Sequence, residues 1–321
     1  VSNKMDFFTG VPDSLLANIC ACIKENSPSA RNIIAAHEGN AVGIACGYHI
    51  ATGRFGVVYM QNSGEGNAVN PLLSIADEDV YSIPMLLVIG WRGEPGVKDE
   101  PQHKKQGKVT LDLLNAMGIE YEILADDYRP QIDRAAEYMS RCGKPFALVV
   151  RKGAFSPYKI EPEQSAYPLS REEALETLLD CIPEEEFIVS PTGKTSREIF
   201  EIREARGQSH SGDFLTVGGM GHTSSIALGM SLGTDRNVYC IDGDGSFIMH
   251  MGSFAVNADN AGANFKYIVN NNGAHESVGG QPTVGFRIDM PAVLRAVGFQ
   301  CVMTAQTREE IAEAMEKLKN V

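Results

Sequence analysis

The strongest constraint on the fold lies near the C-terminal third. An apolar run, Val238-Tyr-Cys-Ile241, ends in Gly243-Asp244-Gly245-Ser246. A helix-forming stretch over about 247–258 follows, and then a second apolar run over 266–270 that stops at Asn271-Asn272. A strand, a helix and a second strand in so short a span predict two neighbouring parallel strands with their turns at the same end. Asp244 and Asn272 then offer a carboxylate and an amide oxygen side by side, a hard site suited to Mg²⁺ that also holds phosphate oxygens. The flanking glycines let the backbone approach a diphosphate closely. Two ordinary loops of turn residues are the alternative reading.

The same alternation runs through the rest of the chain. A helix is predicted from Pro12-Asp13-Ser14 onward, with Asp13 as its N-cap and Leu15, Leu16 and Ile19 on its apolar side. Ile33-Ile-Ala-Ala36 precedes His37-Glu38-Gly39-Asn40 and a helix of small residues over 41–51. Gly56-Val-Val-Tyr-Met60 leads into Gln61-Asn62-Ser63-Gly64. Pro84-Met-Leu-Leu-Val-Ile-Gly90 leads into a polar loop over 91–108, and Phe146-Ala-Leu-Val-Val150 closes this half. Pro157, Pro162 and Pro168 among polar residues mark a linker over 156–168. The second half restarts with a capping box at Ser170-Arg-Glu-Glu173. Strands are predicted at 187–190, 214–217, 238–241 and 267–269. The pattern predicts an α/β protein of two doubly wound parallel-sheet domains, 1–155 and 169–321. The second domain is expected to lack its C-terminal end, because the chain stops at a helix where one more strand is usual.

Composition narrows the partners. The chain has 321 residues, 43% of them hydrophobic, which suits two ordinary globular domains. A formal charge of −13 argues against a nucleic-acid surface. An anionic ligand must therefore meet locally placed cations or backbone N–H groups. The 7 cysteines are scattered, with Cys20-x-Cys22 the one close pair, and read as reduced core residues of a cytoplasmic protein. The chain shows no secretory signal and no run of the ~18 apolar residues a membrane span needs.

Glu38 falls after an apolar strand, where sites of α/β sheets gather, although a helix cap or a surface acid would look the same. Gly218-Gly219-Met220-Gly221-His222-Thr223-Ser224-Ser225 lies between a strand and a small-residue helix, so its N–H groups and hydroxyls suit a ligand's edge. It is not a dinucleotide fingerprint, because Ser224 stands where the third glycine belongs. Met220 reads equally as a wedge under a cofactor or as core filler. Thr192-Gly193-Lys194-Thr195 imitates the end of a P-loop, but Ile188 occupies the place of its first glycine, which excludes a nucleotide hydrolase. That turn can still touch a phosphate or phosphonate. Arg92, Lys98, Gln102, His103, Lys104 and Lys105 concentrate cations and donors in an acidic chain, and read either as a solvated loop or as the anion-binding part of a site. His275 follows the amide pair closely, and Gly279-Gly280 beyond it suggests a mobile lid or a tight ligand approach.

With these residues in place, the chain resembles the thiamine diphosphate-dependent 2-oxo acid decarboxylases, in particular the phosphonopyruvate decarboxylase family, over nearly its whole length. The resemblance rests on Asp6-Phe-Phe-Thr-Gly-Val-Pro-Asp-Ser-Leu15, His37-Glu-Gly-Asn-Ala41, Gln61-Asn-Ser-Gly64, Arg92-Gly-Glu-Pro-Gly96, Asp99-Glu-Pro-Gln-His103, Thr192-Gly-Lys-Thr-Ser-Arg-Glu198 and Asn271-Asn-Gly-Ala-His-Glu-Ser-Val-Gly-Gly-Gln-Pro-Thr283. Sulfopyruvate decarboxylases, whose two halves can be separate subunits, are near relatives. The resemblance implies a pyrimidine-binding domain followed by a diphosphate-binding domain, with thiamine diphosphate and Mg²⁺ as cofactors. It implies non-oxidative decarboxylation of 3-phosphonopyruvate to phosphonoacetaldehyde and CO₂ in phosphonate biosynthesis. Glu38 would serve the aminopyrimidine N1′. Asp244, Asn272 and the carbonyl of Ala274 would hold the metal. Thr192, Gly193, Gly219, Met220, His222, Gly243, Gly245 and Ser246 would surround the cofactor. Gln61, Asn62, Arg92, Gln102, His103 and Lys104 would meet substrate, with His103 or His275 as proton donor. Such enzymes build each site from two subunits, so an obligate homo-oligomer is implied. A sulfopyruvate decarboxylase or a synthase joining two keto acids would share the cofactor residues; a non-catalytic relative would usually lack Glu38 or the metal residues.

Overall fold

Runs of Val, Ile, Leu and aromatic residues, each short enough for one strand, recur between helices. In a computed structural model, which describes residues 3–158 and 167–320, these runs form parallel sheets. The chain divides into two compact units, Val1–Glu161 with Val278–Gln281, and Pro162–Ser277 with Pro282–Val321. Of the predicted linker over 156–168, residues 159–166 lie outside the described residues.

The first unit carries strands β1 (Met5–Gly10), β2 (Asn32–Ile34), β3 (Phe55–Gln61), β4 (Met85–Gly90), β5 (Glu120–Ile123) and β6 (Phe146–Val150), in the order β2-β1-β3-β4-β6-β5. Every pairing is parallel. The central strands are buried on both faces, which explains their unbroken apolar sequence. Val58, Met60, Leu87 and Ile89 pack on one face with Ala41, Val42 and Leu114, while Val57, Tyr59, Leu86 and Val88 pack on the other with Leu16 and Met139. The residues that follow the strand ends, Asp13 after β1, Glu38 after β2, Gln61 and Asn62 at β3 and Arg92 after β4, therefore share the sheet's C-terminal edge, where ligands of open α/β sheets bind.

Three local expectations are corrected. β1 and β5 are strands that sequence patterning missed, because β1 carries Asp6 and Thr9 among its apolar residues and β5 is a half-exposed edge. The first helix begins at Ala17, not at Pro12, and Asp13 is not its N-cap; Asp13 Oδ2 instead accepts from Leu15 N at 2.9 Å in the preceding turn. The predicted loop over 91–108 ends early, because His103 already starts the helix His103–Ala116.

The second unit carries β7 (Phe187–Ser190), β8 (Asp213–Leu215), β9 (Val238–Gly243) and β10 (Phe265–Asn270), ordered β10-β9-β7-β8 and parallel throughout. Ile188, Tyr239 and Ile241 pack against Leu175 and Ile199 on one face, and Val189 and Cys240 against Ala227 on the other. The capping box at Ser170 forms in full, with Ser170 N donating to Glu173 Oε2 at 2.9 Å and Glu173 N to Ser170 Oγ at 3.2 Å. The helix expected over 247–258 is two helices, Asp244–Met249 and Ser253–Asn260, broken where His250 takes φ −130° and ψ 45° just before Gly252. Among the described residues no helix is long and apolar enough to cross a membrane.

Candidate active site

In the first unit the helix Glu38–Thr52 is capped by His37, whose Nδ1 accepts from Gly39 N at 3.1 Å. Glu38 is therefore free of the capping role that its sequence position also allowed. It sits on the first turn, 5% exposed, and Oε2 accepts from Asn67 Nδ2 at 2.8 Å. A side chain at Gly64 would collide with this carboxyl, so glycine there makes its room. A second buried acid, Glu65, follows at once. It is 2% exposed, Oε1 has no hydrogen-bond partner among the described residues, and burial pushes its carboxyl up to about 8.

A polar cluster gathers at the ends of β1, β3 and β4. Asp13 is fully buried, and Gln61 Nε2 donates to its Oδ1 at 2.6 Å. Burial raises the Asp13 carboxyl above its ordinary pKa, opposed by the bonds from Gln61 and Leu15 and by the nearby charge of Arg92. Gly90 leaves the space that Asp13 fills. Arg92 grips Asp99 with a two-pronged fork, Nε to Oδ2 at 2.8 Å and Nη2 to Oδ1 at 2.5 Å, and Nη1 donates to Ser14 Oγ at 2.8 Å. Hydrogen bonds from Arg92 hold the Asp99 carboxyl well below the usual carboxylate range. His103 is half-buried, its Nδ1 has no hydrogen-bond partner among the described residues, and burial and then Arg92 lower its pKa. Asn62 is committed to the frame, since its Nδ2 donates to Arg92 O at 2.8 Å and Thr110 Oγ1 at 2.9 Å and its Oδ1 accepts from Arg92 N at 3.1 Å. Gln102 precedes the helix His103–Ala116, and Lys104 is exposed on its first turn.

In the second unit the parallel register pairs Gly243 with Asn270, so Asp244 and the amide pair leave the sheet at one level. Asp244 is 3% exposed, and its Oδ2 accepts from the Thr283 hydroxyl. Burial raises its pKa, opposed first by Thr283. Asn271 closes the loop: its Oδ1 accepts from Gly273 N at 3.1 Å and its Nδ2 donates to Gly285 O at 2.9 Å. A Cβ on Gly285 would stand 2.5 Å from Asn271 Oδ1, 2.8 Å from Asp244 Oδ2 and 2.9 Å from Thr283 Oγ1, so only glycine fits there. Asn272 is the amide turned to other work. Its Nδ2 donates to Glu276 Oε2 at 3.2 Å and its Oδ1 accepts from Ala274 N at 3.2 Å, keeping one lone pair in reserve.

The surrounding turns leave room where a diphosphate and a metal would need it. A Cβ on Gly243 would meet nothing within 4 Å, and Gly219 takes φ +67°. Ser246 Oγ accepts from Gly221 N at 3.2 Å, tying the Gly219–His222 turn to the Asp244 turn. Met220 Cε and His275 Cε1 each approach within 3.0 Å of the Cβ that Gly245 lacks. Burial pushes His275 down to about 4, so its imidazole is neutral at pH 7. Exposed His222 stacks on His250 at 4.6 Å. Gly193, at φ +110°, faces Ser277 Oγ, which accepts from Lys194 N at 3.3 Å; Thr192 lies beside it, half-buried. Thr223 Oγ1 is buried at the start of the helix Thr223–Ser231 without a hydrogen-bond partner among the described residues. The Asp244 carboxylate and the Asn272 amide oxygen are hard oxygen donors of the kind Mg²⁺ takes. The residues therefore fit the cofactor and the metal that the sequence implied.

Sequence reasoning missed Asp13, Asp99, Thr283 and Glu276 as members of these clusters. Each stands within a segment that carried the resemblance; partners distant in sequence place Asp13, Thr283 and Glu276, and Arg92, seven residues before it, places Asp99.

Comparison with known proteins supplies the family. The model of the thiamine pyrophosphate enzyme N-terminal TPP binding domain matches residues 1–116, and that of the C-terminal TPP binding domain matches residues 192–321. A phosphonopyruvate decarboxylase of Streptomyces hygroscopicus is 34% identical over 95% of this chain and 79% of its own length. One of Streptomyces viridochromogenes is 32% identical over 95% and 80%. A sulfopyruvate decarboxylase of Methanosarcina acetivorans is 27% identical over 98% and 84%. Two parallel sheets, a glycine-flanked Asp244 level with an amide pair, and relatives spanning nearly the whole chain lead to one conclusion: the chain belongs to the thiamine pyrophosphate enzyme family and is a thiamine diphosphate-dependent decarboxylase, related to phosphonopyruvate decarboxylase.

Proposed function

We propose that this enzyme, with Mg²⁺ and thiamine diphosphate, decarboxylates 3-phosphonopyruvate to phosphonoacetaldehyde and CO₂ as a step of phosphonate biosynthesis. The observation that carries the substrate is the 34% identity to a phosphonopyruvate decarboxylase over 95% of the chain, against 27% for the sulfopyruvate enzyme. Asp244, Asn272 and Ala274 would hold the Mg²⁺ against the diphosphate, with Gly243, Gly245, Ser246, Gly219, His222, Thr192 and Gly193 lining the approach and Met220 shaping it. When bound, the cofactor supplies the thiazolium that takes up the electron pair released with CO₂. Glu38 would meet the aminopyrimidine through its carboxyl, and Asn67 fixes the direction in which that carboxyl points.

The first unit supplies the substrate side. Arg92 keeps its guanidinium rigid on Asp99 and Ser14 and acts electrostatically on Asp13 and His103, and Gln61, Gln102 and Lys104 would join it around the substrate. Such a fixed cation suits a phosphonate better than a mobile lysine does. His103 is largely neutral at pH 7, and so is His275, so either can pass a proton as a neutral imidazole. Asp13, with a carboxyl shifted upward by burial, holds its proton to higher pH than an exposed aspartate and adds a third carrier.

The enzyme is proposed to act in the cytoplasm as a homo-oligomer whose sites each take Glu38 from one subunit and Asp244 from another. Mixing Glu38→Gln with Asp244→Ala, at a cofactor concentration too low to support Asp244→Ala alone, should then restore part of the activity through hybrid sites. For the reaction itself, CO₂ release from phosphonopyruvate, sulfopyruvate and pyruvate is compared with and without thiamine diphosphate and Mg²⁺. Cofactor-dependent release fastest from phosphonopyruvate supports the assignment. Faster release from sulfopyruvate would move the substrate and keep the site.

A further inference from the structure

Asn272 has an amide whose two ends look alike in shape and differ in chemistry, and something must decide which end is offered to a metal. Its Nδ2 donates to Glu276 Oε2 at 3.2 Å. An ionised carboxylate can only accept, so this contact commits the NH₂ end to Glu276 and leaves the oxygen, which accepts from Ala274 N at 3.2 Å, with one lone pair to offer. Glu276 is itself fixed. Arg171 Nη1 binds its Oε2 and Lys194 Nζ its Oε1. Arg171 is anchored in turn by Glu198, Nε to Oε2 at 2.7 Å and Nη2 to Oε1 at 2.6 Å. Arg171 and Lys194 are the first residues of the helices Arg171–Cys181 and Lys194–Arg206, so the chain of contacts starts on rigid elements. Ser277 adds a second tie to the same helix start through Lys194 N.

We infer that Glu276 is a positioning residue for the metal site: held by Arg171 and Lys194, it turns the Asn272 amide so that Oδ1 is presented as a ligand. Outer partners of this kind orient metal ligands, and removing them typically lowers metal affinity 10–100-fold. The inference rests on the reading of Asp244 and Asn272 as ligands.

The test is Mn²⁺ binding in the presence of thiamine diphosphate, read as free Mn²⁺ by electron paramagnetic resonance, so that turnover is not needed. The full chain is compared with Glu276→Ala, Glu276→Gln, Asn272→Ala and Asp244→Ala, each first checked for an unchanged melting temperature without metal. Glu276→Ala is expected to raise the Mn²⁺ dissociation constant by about 10–100-fold. Glu276→Gln, nearly isosteric and still offering an acceptor oxygen, should stay near wild type. Glu276→Ala combined with Asn272→Ala should cost no more than Asn272→Ala alone, because the two share one interaction. Wild-type binding by Glu276→Ala while Asn272→Ala is impaired would overturn the inference and leave the metal site standing. Equal loss in Glu276→Ala and Glu276→Gln would also overturn it, since charge rather than orientation would then be the cause. Unimpaired binding by both Asn272→Ala and Asp244→Ala would remove the metal site and the inference together.

Discussion

Asn67 Nδ2 donates to Glu38 Oε2 at 2.8 Å, so the second helix of the first unit's site holds the carboxylate of the helix before it. Replacing Glu38 by Gln keeps the shape and removes the carboxyl. Turnover should fall by at least ~10²-fold, the usual worth of a positioned proton carrier, while thiamine diphosphate still binds. Asn67→Ala should cost less, because it frees the carboxylate to turn without removing it. Steady-state kinetics together with cofactor binding by calorimetry checks both; wild-type kcat in Glu38→Gln would discard the assignment.

Asp244→Ala should raise the Mg²⁺ and thiamine diphosphate concentrations needed for half-maximal activity. Thr283→Val probes the same carboxylate from the other side. It removes the hydroxyl that Asp244 Oδ2 accepts and leaves that buried oxygen unpaired, at a cost of about 1–3 kcal/mol. Melting curves with and without Mg²⁺ should show the Thr283→Val loss shrinking as metal is added, since the metal neutralises the same group.

Arg92→Lys preserves the charge and loses the fork on Asp99. Because a lysine cannot reproduce two parallel hydrogen bonds, KM for an anionic substrate should rise with little change in thiamine diphosphate affinity. Asp99→Asn should move KM in the same direction, as the guanidinium loses the partner that fixes it. A rise in cofactor requirement instead of KM would place Arg92 on the cofactor side.

Glu65 sets a pH dependence. Its folded carboxyl is pushed up to about 8 from an ordinary value near 4.5, so the folded protein binds more protons than the unfolded chain between those values. Stability is therefore fully supported below pH ~4.5, falls as pH rises towards 8 and levels off above it. At roughly 1.4 kcal/mol per pKa unit, the whole change is on the order of several kcal/mol. Glu65→Gln should flatten this slope, and melting temperatures between pH 5 and 9 measure the difference. An unchanged slope would mean that Glu65 finds a partner in the assembled enzyme.

Much of this was legible in the sequence, and the exceptions share a physical cause. Strands buried on both faces, such as β4 and β9, are continuous apolar runs and declare themselves. β5 hides, because an edge strand needs little apolar surface. Asp13 read as a helix cap because Asp before a helix usually is one; its burial depends on Gly90, far along the chain. The break at His250 leaves Gly252 as its one signal, and a single glycine costs a helix only about 1 kcal/mol, too little to mark an end by itself. At the proposed metal site the sequence supplied Asp244 and Asn272, but not the task of Asn271, which closes the loop. That task depends on Gly285, whose missing side chain lets Asn271 pack against Asp244 and Thr283.

If Asp244 holds the metal as proposed, the hydroxyl of Thr283 joins loop closure to cofactor retention. The bond that secures Gly273–Gly285 ends on the carboxylate assigned to the metal, so ordering the loop and holding the ion draw on one free energy. Drift in this stretch would first produce an enzyme that folds and purifies normally yet sheds its cofactor on dilution. Such a variant would be mistaken for a dead one in any assay run without added thiamine diphosphate and magnesium.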